Sequence, residues 1–344
     1  MSVDLLPPDL RARLDDYFGQ RDLSDAQPVL LSGDASDRRY VRVTPSRGPT
    51  QILAVYPGPI EFARMPFASA LALFGAMPVP VPRVLDYSDP LGIIAQEDLG
   101  DQTLAAHLEA TSRADLHVRY REALALVAEM QRRGAELASP RFTPYELAFD
   151  VPKLTFELDF FVTHFLEGHR GAKLTPAHRA ALATAFSLLA DELAAEPRVV
   201  CHRDYHSRNL MVHGGGLVMI DFQDARLGPD TYDVASLLRD SYVELDGDTV
   251  DTLISYFLAL DRGPVARDRD ASTFRDRFDV MALQRNLKAL GTFGYQATVR
   301  GKTGYLRDVP RTLRYLGTTF ERQPRFTALR ALLATHLPEL QLGG

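Results

Sequence analysis

One stretch of the chain, RVVCHRDYHSRNLMVHGGGLVMIDFQDA, holds side chains whose types and spacing can do chemistry. Asn209 follows Asp204 by five positions, giving H-x-D-x-x-x-x-N from His202, and an apolar run then ends at Asp221. At average residue frequencies the first pattern arises by chance in a chain of this length on the order of one time in a hundred. An acid, a carboxamide and a second acid brought to one point suit phosphoryl transfer. One carboxylate orients the acceptor hydroxyl and takes its proton, while oxygen ligands hold magnesium on the nucleotide phosphates. Two plainer readings compete. Asp and Asn favour turns through bonds to their own backbone, and His202, His206 and His213 beside two acids suggest zinc. The histidine spacing is not the helical H-E-x-x-H pattern, and the second acid suits magnesium better.

Strands must deliver these groups. Val199, Val200 and Cys201 form an apolar strand that hands His202, Arg203 and Asp204 to a loop. Leu210 to Val212 is a second strand, Gly214 to Gly216 a turn, and Leu217 to Ile220 a third strand ending at Asp221. Cys201 reads as buried filler, since only Arg203 is near to stabilise a thiolate. Helices flank this island. Leu116, Tyr120, Leu124, Val127 and Met130 make a stripe expected to stop before Gly134. Thr175-Pro176 starts another helix, buried through Leu182, Phe186, Leu189 and Leu193. The chain beyond the island reads as helical through Leu342.

The first third reads as strands with one helix. Asp37 to Val43 alternates, with Val41 and Val43 on one face, and Gln51 to Tyr56 completes a hairpin across a turn-rich link. A helix is expected over Phe62 to Phe74, and the alternating prolines from Pro78 exclude helix after it. Ile93 to Leu99 is a further strand. The expected class is therefore α+β: a small strand-rich lobe over residues 1–99 and a larger helical lobe over 100–344, divided at Gly100.

Apolar residues at 46% and charged residues at 24% mark a globular chain. Its 39 basic residues fall short of its 45 acidic ones, so nucleic-acid binding starts at a disadvantage. One cysteine excludes an intrachain disulfide. No run approaches the roughly 20 apolar residues of a membrane span, and the first residues carry acid and proline where a signal peptide needs a basic patch. A soluble, cytoplasmic protein with no membrane or nucleic-acid partner is the expectation.

His202-Arg203-Asp204 with Asn209, and Ile220-Asp221-Phe222, resemble the catalytic and metal-binding loops of the aminoglycoside phosphotransferase and choline kinase superfamily, a protein-kinase-like fold. Gly228-Pro229 followed by Tyr232 to Leu237 extends the match. Longer strings at Ser32 to Val43, His202 to Val212, Ile220 to Asp240, Met281 to Phe293 and Gly304 to Leu316 resemble the bacterial N-acetylmuramate/N-acetylglucosamine anomeric kinases. Those enzymes phosphorylate the sugar C1 hydroxyl in peptidoglycan recycling. The resemblance implies ATP and Mg²⁺ as cofactors and a small-molecule sugar as partner. It makes Asp204 the catalytic base and Asn209 and Asp221 the metal ligands, with His202 bracing the loop. Ser32, Gly33, Asp34 and Ser36, in the turn leading to Arg38, would cover the nucleotide phosphates. Gln96, Glu97 and Leu99 would lie in the hinge that meets adenine through its backbone.

The third strand departs from kinase-like folds, which carry a lysine there to hold phosphates. ILAVY has none, Tyr56 lies about where it would be, and Arg38, Arg39 or Arg42 is left to supply the charge. For the acceptor, Glu157 stands on an apparent helix with Phe156, Asp159 and Phe160, where it either bonds sugar hydroxyls or is a solvated acid. Gln284, Arg285 and Lys288 share a helix face, and Arg285 would pair bidentately with an acceptor carboxylate. Competing functions are a kinase of another amino sugar, hexose or aminoglycoside, a catalytically silent pseudokinase, and a metallohydrolase built on the histidines.

Overall fold

The computed structural model describes residues 6–21, 23, 25–31, 38–264 and 270–341. Helix α1 (Pro8–Gln20) begins with a proline in its first turn, where the missing N–H is no loss. Strands β1 (Gln27–Leu30), β2 (Arg39–Thr44) and β3 (Gln51–Val55) follow, then α2 (Pro66–Ala76), β4 (Val84–Ser88) and β5 (Ile93–Glu97). The five strands form one antiparallel sheet in the order β1-β2-β3-β5-β4. Val41 and Val43 of the expected hairpin are fully buried, and with Leu53, Val55, Ile93 and Ala95 they pack under Leu10, Leu14 and Tyr17 of α1. Ala54 and Ile94 join the main core with Phe67, Leu73 and Phe74 of α2.

The strand-rich region departs from expectation. β1 and β4 are the two edges of the sheet; β1 is mostly exposed, and β4 turns the apolar Leu85 and Tyr87 outward, so neither reads from its residue types as a half-buried strand with an apolar inner face. α1 was not expected either; its stripe of Leu10, Leu14, Tyr17 and Phe18 is diluted by charged neighbours. The helix expected over Phe62 to Phe74 is a 3₁₀ turn at Phe62–Arg64 followed by α2. Pro66 forces the residue before it, Met65, into an extended conformation (ψ 140°), so the helix restarts there.

The chain leaves the sheet between Glu97 and Leu104, the stretch that holds Gly100. Helices α3 (Leu104–Leu108), α4 (Arg113–Glu136), α5 (Val151–Phe161) and α6 (Pro176–Ala194) come next, and α5 continues as a π-helical segment, Val162–His169. α4 runs through Gly134 rather than stopping before it. That glycine marks a close approach: a Cβ there would sit 2.9 Å from Cγ2 of Val200. Thr175 caps α6 as expected, its hydroxyl accepting from the His178 N–H. The island holds β6 (Arg198–Cys201), β7 (Leu210–His213) and β8 (Gly216–Met219), and beyond it, where helix was expected, the chain first adds a strand, β9 (Arg226–Pro229), which pairs with β6 as β8 does with β7. Then come α7 (Tyr232–Leu238), α8 (Gly247–Ala259), α9 (Ala271–Thr298), α10 (Val309–Arg322) and α11 (Thr327–Ala334). α9 is the central post of the helical part, packed by α5, α7, α8, α10 and the π-helical segment. Among the described residues no helix is long and apolar enough to cross a membrane.

Candidate active site

A cleft of about 730 Å³ opens between sheet and helices. Arg38, Tyr40, Gln96, Glu97 and Leu99 line one side of it, and Asp204, Asn209, Asp221, Arg285 and Lys288 the other. Two residues here hold backbone conformations that non-glycine residues seldom adopt, Arg203 at φ 84° and Asp221 at φ 63°. Such strain persists only where the surroundings over-determine it, and they do. The Asp233 carboxylate accepts the backbone N–H groups of His202 (2.7 Å) and Arg203 (3.1 Å). The His202 Nε2–H donates to the Ile220 carbonyl (3.0 Å), tying the first loop to the residue before Asp221. Phe222 stacks on Phe67 of α2, so the segment after the second acid is pinned to the sheet-bearing half.

The Asp204 carboxylate accepts from Lys288 Nζ at 2.8 Å. Burial opposes its ionisation, but Lys288, Arg203 and Arg285 override that and hold it well below the usual carboxylate range. Lys288 in turn is lowered to about 8, by burial and by Arg285, against the pull of Asp204 and Glu157. Asn209 donates Nδ2 to the Asp204 backbone carbonyl (2.9 Å), which leaves its carboxamide oxygen to face a ligand. Asp221 accepts from Gln223 Nε2 (2.8 Å) and lies 3.6 Å from Arg38 Nη2. A carboxamide oxygen and a carboxylate are donors that a hard divalent cation such as Mg²⁺ takes, so these two residues fit that metal. The histidines diverge: His213 bonds the Leu99 carbonyl, His206 packs edge-on to Tyr242, and burial pushes His206 down to about 3. Cys201 is buried, its thiol pushed well up by burial.

The other candidates divide. Arg38 reaches the cleft, with Tyr56 Oη accepting from its Nη1 at 3.5 Å. Arg39, one position on, pairs with Asp9 of α1 and does not line the cleft, since neighbours along an extended chain point to opposite sides. Arg42 braces the chain after β5 through Asp98 and Asp101. Ser32, Gly33, Asp34 and Ser36 lie outside the described residues. Glu157 is neither in the cleft nor a solvated acid. It is buried, accepts from Gln284 Nε2 (3.0 Å) and lies 3.4 Å from Lys153. Burial opposes its ionisation, yet Lys288, Lys153 and Arg203 hold it below the usual range. Arg285 lines the cleft from a buried position and donates Nη1 to the Tyr232 hydroxyl (2.7 Å), while its Nε has no hydrogen-bond partner. Sequence reasoning placed Lys288 on a polar helix face and did not foresee its bond to Asp204. Arg208, Tyr242, Phe293 and Tyr305, which line the helical wall, were missed. The signal for Arg208 was its place inside the H-x-D-x-x-x-x-N motif.

An antiparallel sheet set on a helical body, with acid, carboxamide and second acid in the cleft between them, is the architecture of a kinase-like phosphotransferase. Solved structures share the fold. An ADP-bound aminoglycoside phosphotransferase superposes with a TM-score of 0.58 at 14% identity, over 90% of this chain and 98% of that one. A choline/ethanolamine kinase family protein from Mesorhizobium loti superposes with a TM-score of 0.57 at 15% identity, over 97% and 99%. The chain belongs to the phosphotransferase enzyme family, whose model matches residues 29–269. Relatives named N-acetylmuramate/N-acetylglucosamine kinase resemble it over most of its length. That of Neisseria meningitidis serogroup B is 32% identical over 311 residues, covering 90% of each chain. That of Pseudomonas aeruginosa is 33% identical over 324 residues, covering 93% of this chain and 91% of the relative.

Proposed function

We propose that this chain is an ATP- and Mg²⁺-dependent kinase acting on the anomeric hydroxyl of N-acetylmuramate or N-acetylglucosamine, in the recycling of cell-wall sugars. The similarity to kinases of that name over about nine-tenths of both chains carries the reading. In it, Asp204 orients the acceptor hydroxyl and takes its proton. A carboxylate held so far below its usual range is a weak base. That suffices where the transition state is loose and the proton leaves late, and an anomeric hydroxyl is more acidic than an ordinary alcohol. Asn209 and Asp221 hold the metal, which when bound neutralises charge on the nucleotide phosphates. Arg38, beside Asp221, supplies the cation that the third strand lacks. Its presence there counts against a catalytically silent protein. The backbone of Gln96 to Leu99 receives the adenine, and the segment around Gly33, outside the described residues, the phosphates.

The test is a sugar panel with ATP and Mg²⁺, reading ADP release and then the product by ³¹P NMR and acid lability. The expected product is an acid-labile, non-reducing phosphate ester of one or both sugars. An acid-stable ester would remove C1 as the target, and no ADP release with either sugar would overturn the kinase assignment.

A further inference from the structure

The two sugars proposed as acceptors differ by one group, a lactyl ether at C3 that ends in a carboxylate. We propose that Arg208 reads this carboxylate, an inference that rests on the acceptor class proposed above. A bound carboxylate needs a cation whose N–H donors are available and whose position is already set. Most cleft cations already hold an acid: Arg42 with Asp98 and Asp101, Arg203 with Asp224 (2.6 Å) and Lys288 with Asp204. Arg285 is tied through Nη1 to Tyr232 and lies 4.0 Å from Asp204, at the reacting hydroxyl of the proposed reaction rather than at C3. Arg38 lies beside Asp221, on the nucleotide side.

Arg208 differs. Its guanidinium lies over the Tyr242 ring, Cζ 3.7 Å from the centroid. Stacking uses the face of the guanidinium plane and leaves the in-plane N–H fork for a ligand, while removing rotamer freedom that binding would otherwise have to freeze. Its nearest acid, Asp308, is 3.6 Å away, beyond hydrogen-bond distance, and the Asp308 Oδ2 is buried with no hydrogen-bond donor. Arg208 makes no hydrogen bond among the described residues. Its backbone belongs to the loop that carries Asp204 and Asn209, so a sugar held for transfer at Asp204 lies within the same cleft. The wall beside it is aromatic. Phe293 stacks on Tyr305 at 5.8 Å and lies 6.3 Å from Tyr242, a surface suited to the apolar face of a pyranose.

The experiment compares kcat/KM for N-acetylmuramate, its methyl ester and N-acetylglucosamine in the wild type, Arg208→Met and Arg208→Lys, with KM for ATP measured in parallel. In the wild type, masking the charge as the ester should cost ~10- to 100-fold, the range of a charge-assisted hydrogen bond. Arg208→Met should collapse this preference for the acid toward unity, and Arg208→Lys should restore part of it. The wild-type acid-to-ester ratio decides the matter even if Arg208→Met does not fold, since a ratio near one overturns the proposal. An undiminished ratio in Arg208→Met also overturns it. So does an equal fall for all three acceptors with a raised KM for ATP, which would place Arg208 on the donor phosphates. Turnover of N-acetylglucosamine with any of these results sinks Arg208 alone; turnover of neither sugar sinks the acceptor class and Arg208 with it.

Discussion

Asp204 faces Lys288 at 2.8 Å, with Arg203 Nη1 3.7 Å and Arg285 Nη1 4.0 Å from its carboxylate. Three cations around one carboxylate favour its charged form, so in the proposed reaction its task is to orient a hydroxyl as much as to accept a proton. Asp204→Asn should keep nucleotide affinity and lower kcat by ~10²- to 10⁴-fold, read by titration of nucleotide and by ADP release. Lys288 offers a finer test. The proposed reaction requires the ionised form of Asp204, so activity should fall as pH drops through its lowered pKa. Removing Lys288 takes away the largest of the cationic influences that hold it low, so Lys288→Met should move the acid limb of the kcat/KM profile to higher pH. An acid limb that stays in place would assign that limb to another group.

Helix α9 presents Arg285, Lys288 and Phe293 to the cleft because its backbone lies hard against α5 and the π-helical segment that continues it. Glycines make that approach possible. A Cβ at Gly294 would collide with the His164 carbonyl, and one at Gly291 would sit 2.8 Å from Cα of Phe161. Both neighbours are backbone and cannot swing aside. Gly294→Ala should therefore cost about 2–3 kcal/mol in urea unfolding, whereas Gly317→Ala on α10, with nothing within 4 Å of the added carbon, should be neutral or stabilise by about 0.5–1 kcal/mol. A Gly294→Ala protein as stable as the wild type would show that the α9 contact has room for a methyl group. α7 acts differently, through Asp233 at its first turn, which holds the strained loop by two backbone bonds.

Several buried carboxyls in the body of the protein have raised pKa values. Burial pushes Glu196 up to about 7, with Asp230 adding to it and Arg277 opposing; Asp233 is pushed to about 7 and Asp240 to about 6. A carboxyl raised in the folded state favours folding while protonated. Its contribution is complete below the unfolded pKa, near 4.5 for Glu196, and is lost as pH rises through about 7. Buried His206, lowered to about 3, and His202 act in the opposite sense up to pH 6.5, so the decline in melting temperature that the carboxyls cause should be clearest between about pH 6.5 and pH 8. Glu196→Gln keeps an oxygen for the Thr231 hydroxyl (2.9 Å) and Arg277 (2.8 Å) and should flatten that decline, by up to about 3 kcal/mol at pH 8. An unchanged slope would show that Glu196 titrates near its ordinary value.

Much of the site was legible before folding because it is local. Asp204, Asn209 and Asp221 lie within one short island of strands and turns, and strand alternation and turn chemistry already direct them to one point. The β2–β3 hairpin and the cap at Thr175 were readable for the same reason. Lys288 is 84 positions from Asp204, and no periodicity in either segment announces their meeting. The choice between Arg38 and Arg39 depended on which face of the sheet α1 covers, and α1 itself went unread. Glu157 changed from a surface acid to a buried one once α9 lay over α5, bringing Gln284 to within 3.0 Å of it. Arg208 acquired its stacked position, with no acceptor in hydrogen-bond distance among the described residues, only when the loop met Tyr242 and Asp308. Spacing along the chain dictates which groups can act together when a single loop holds them. The charge, burial and availability of each group are set by neighbours from distant segments, because desolvation and Coulomb forces act through space and are indifferent to sequence separation.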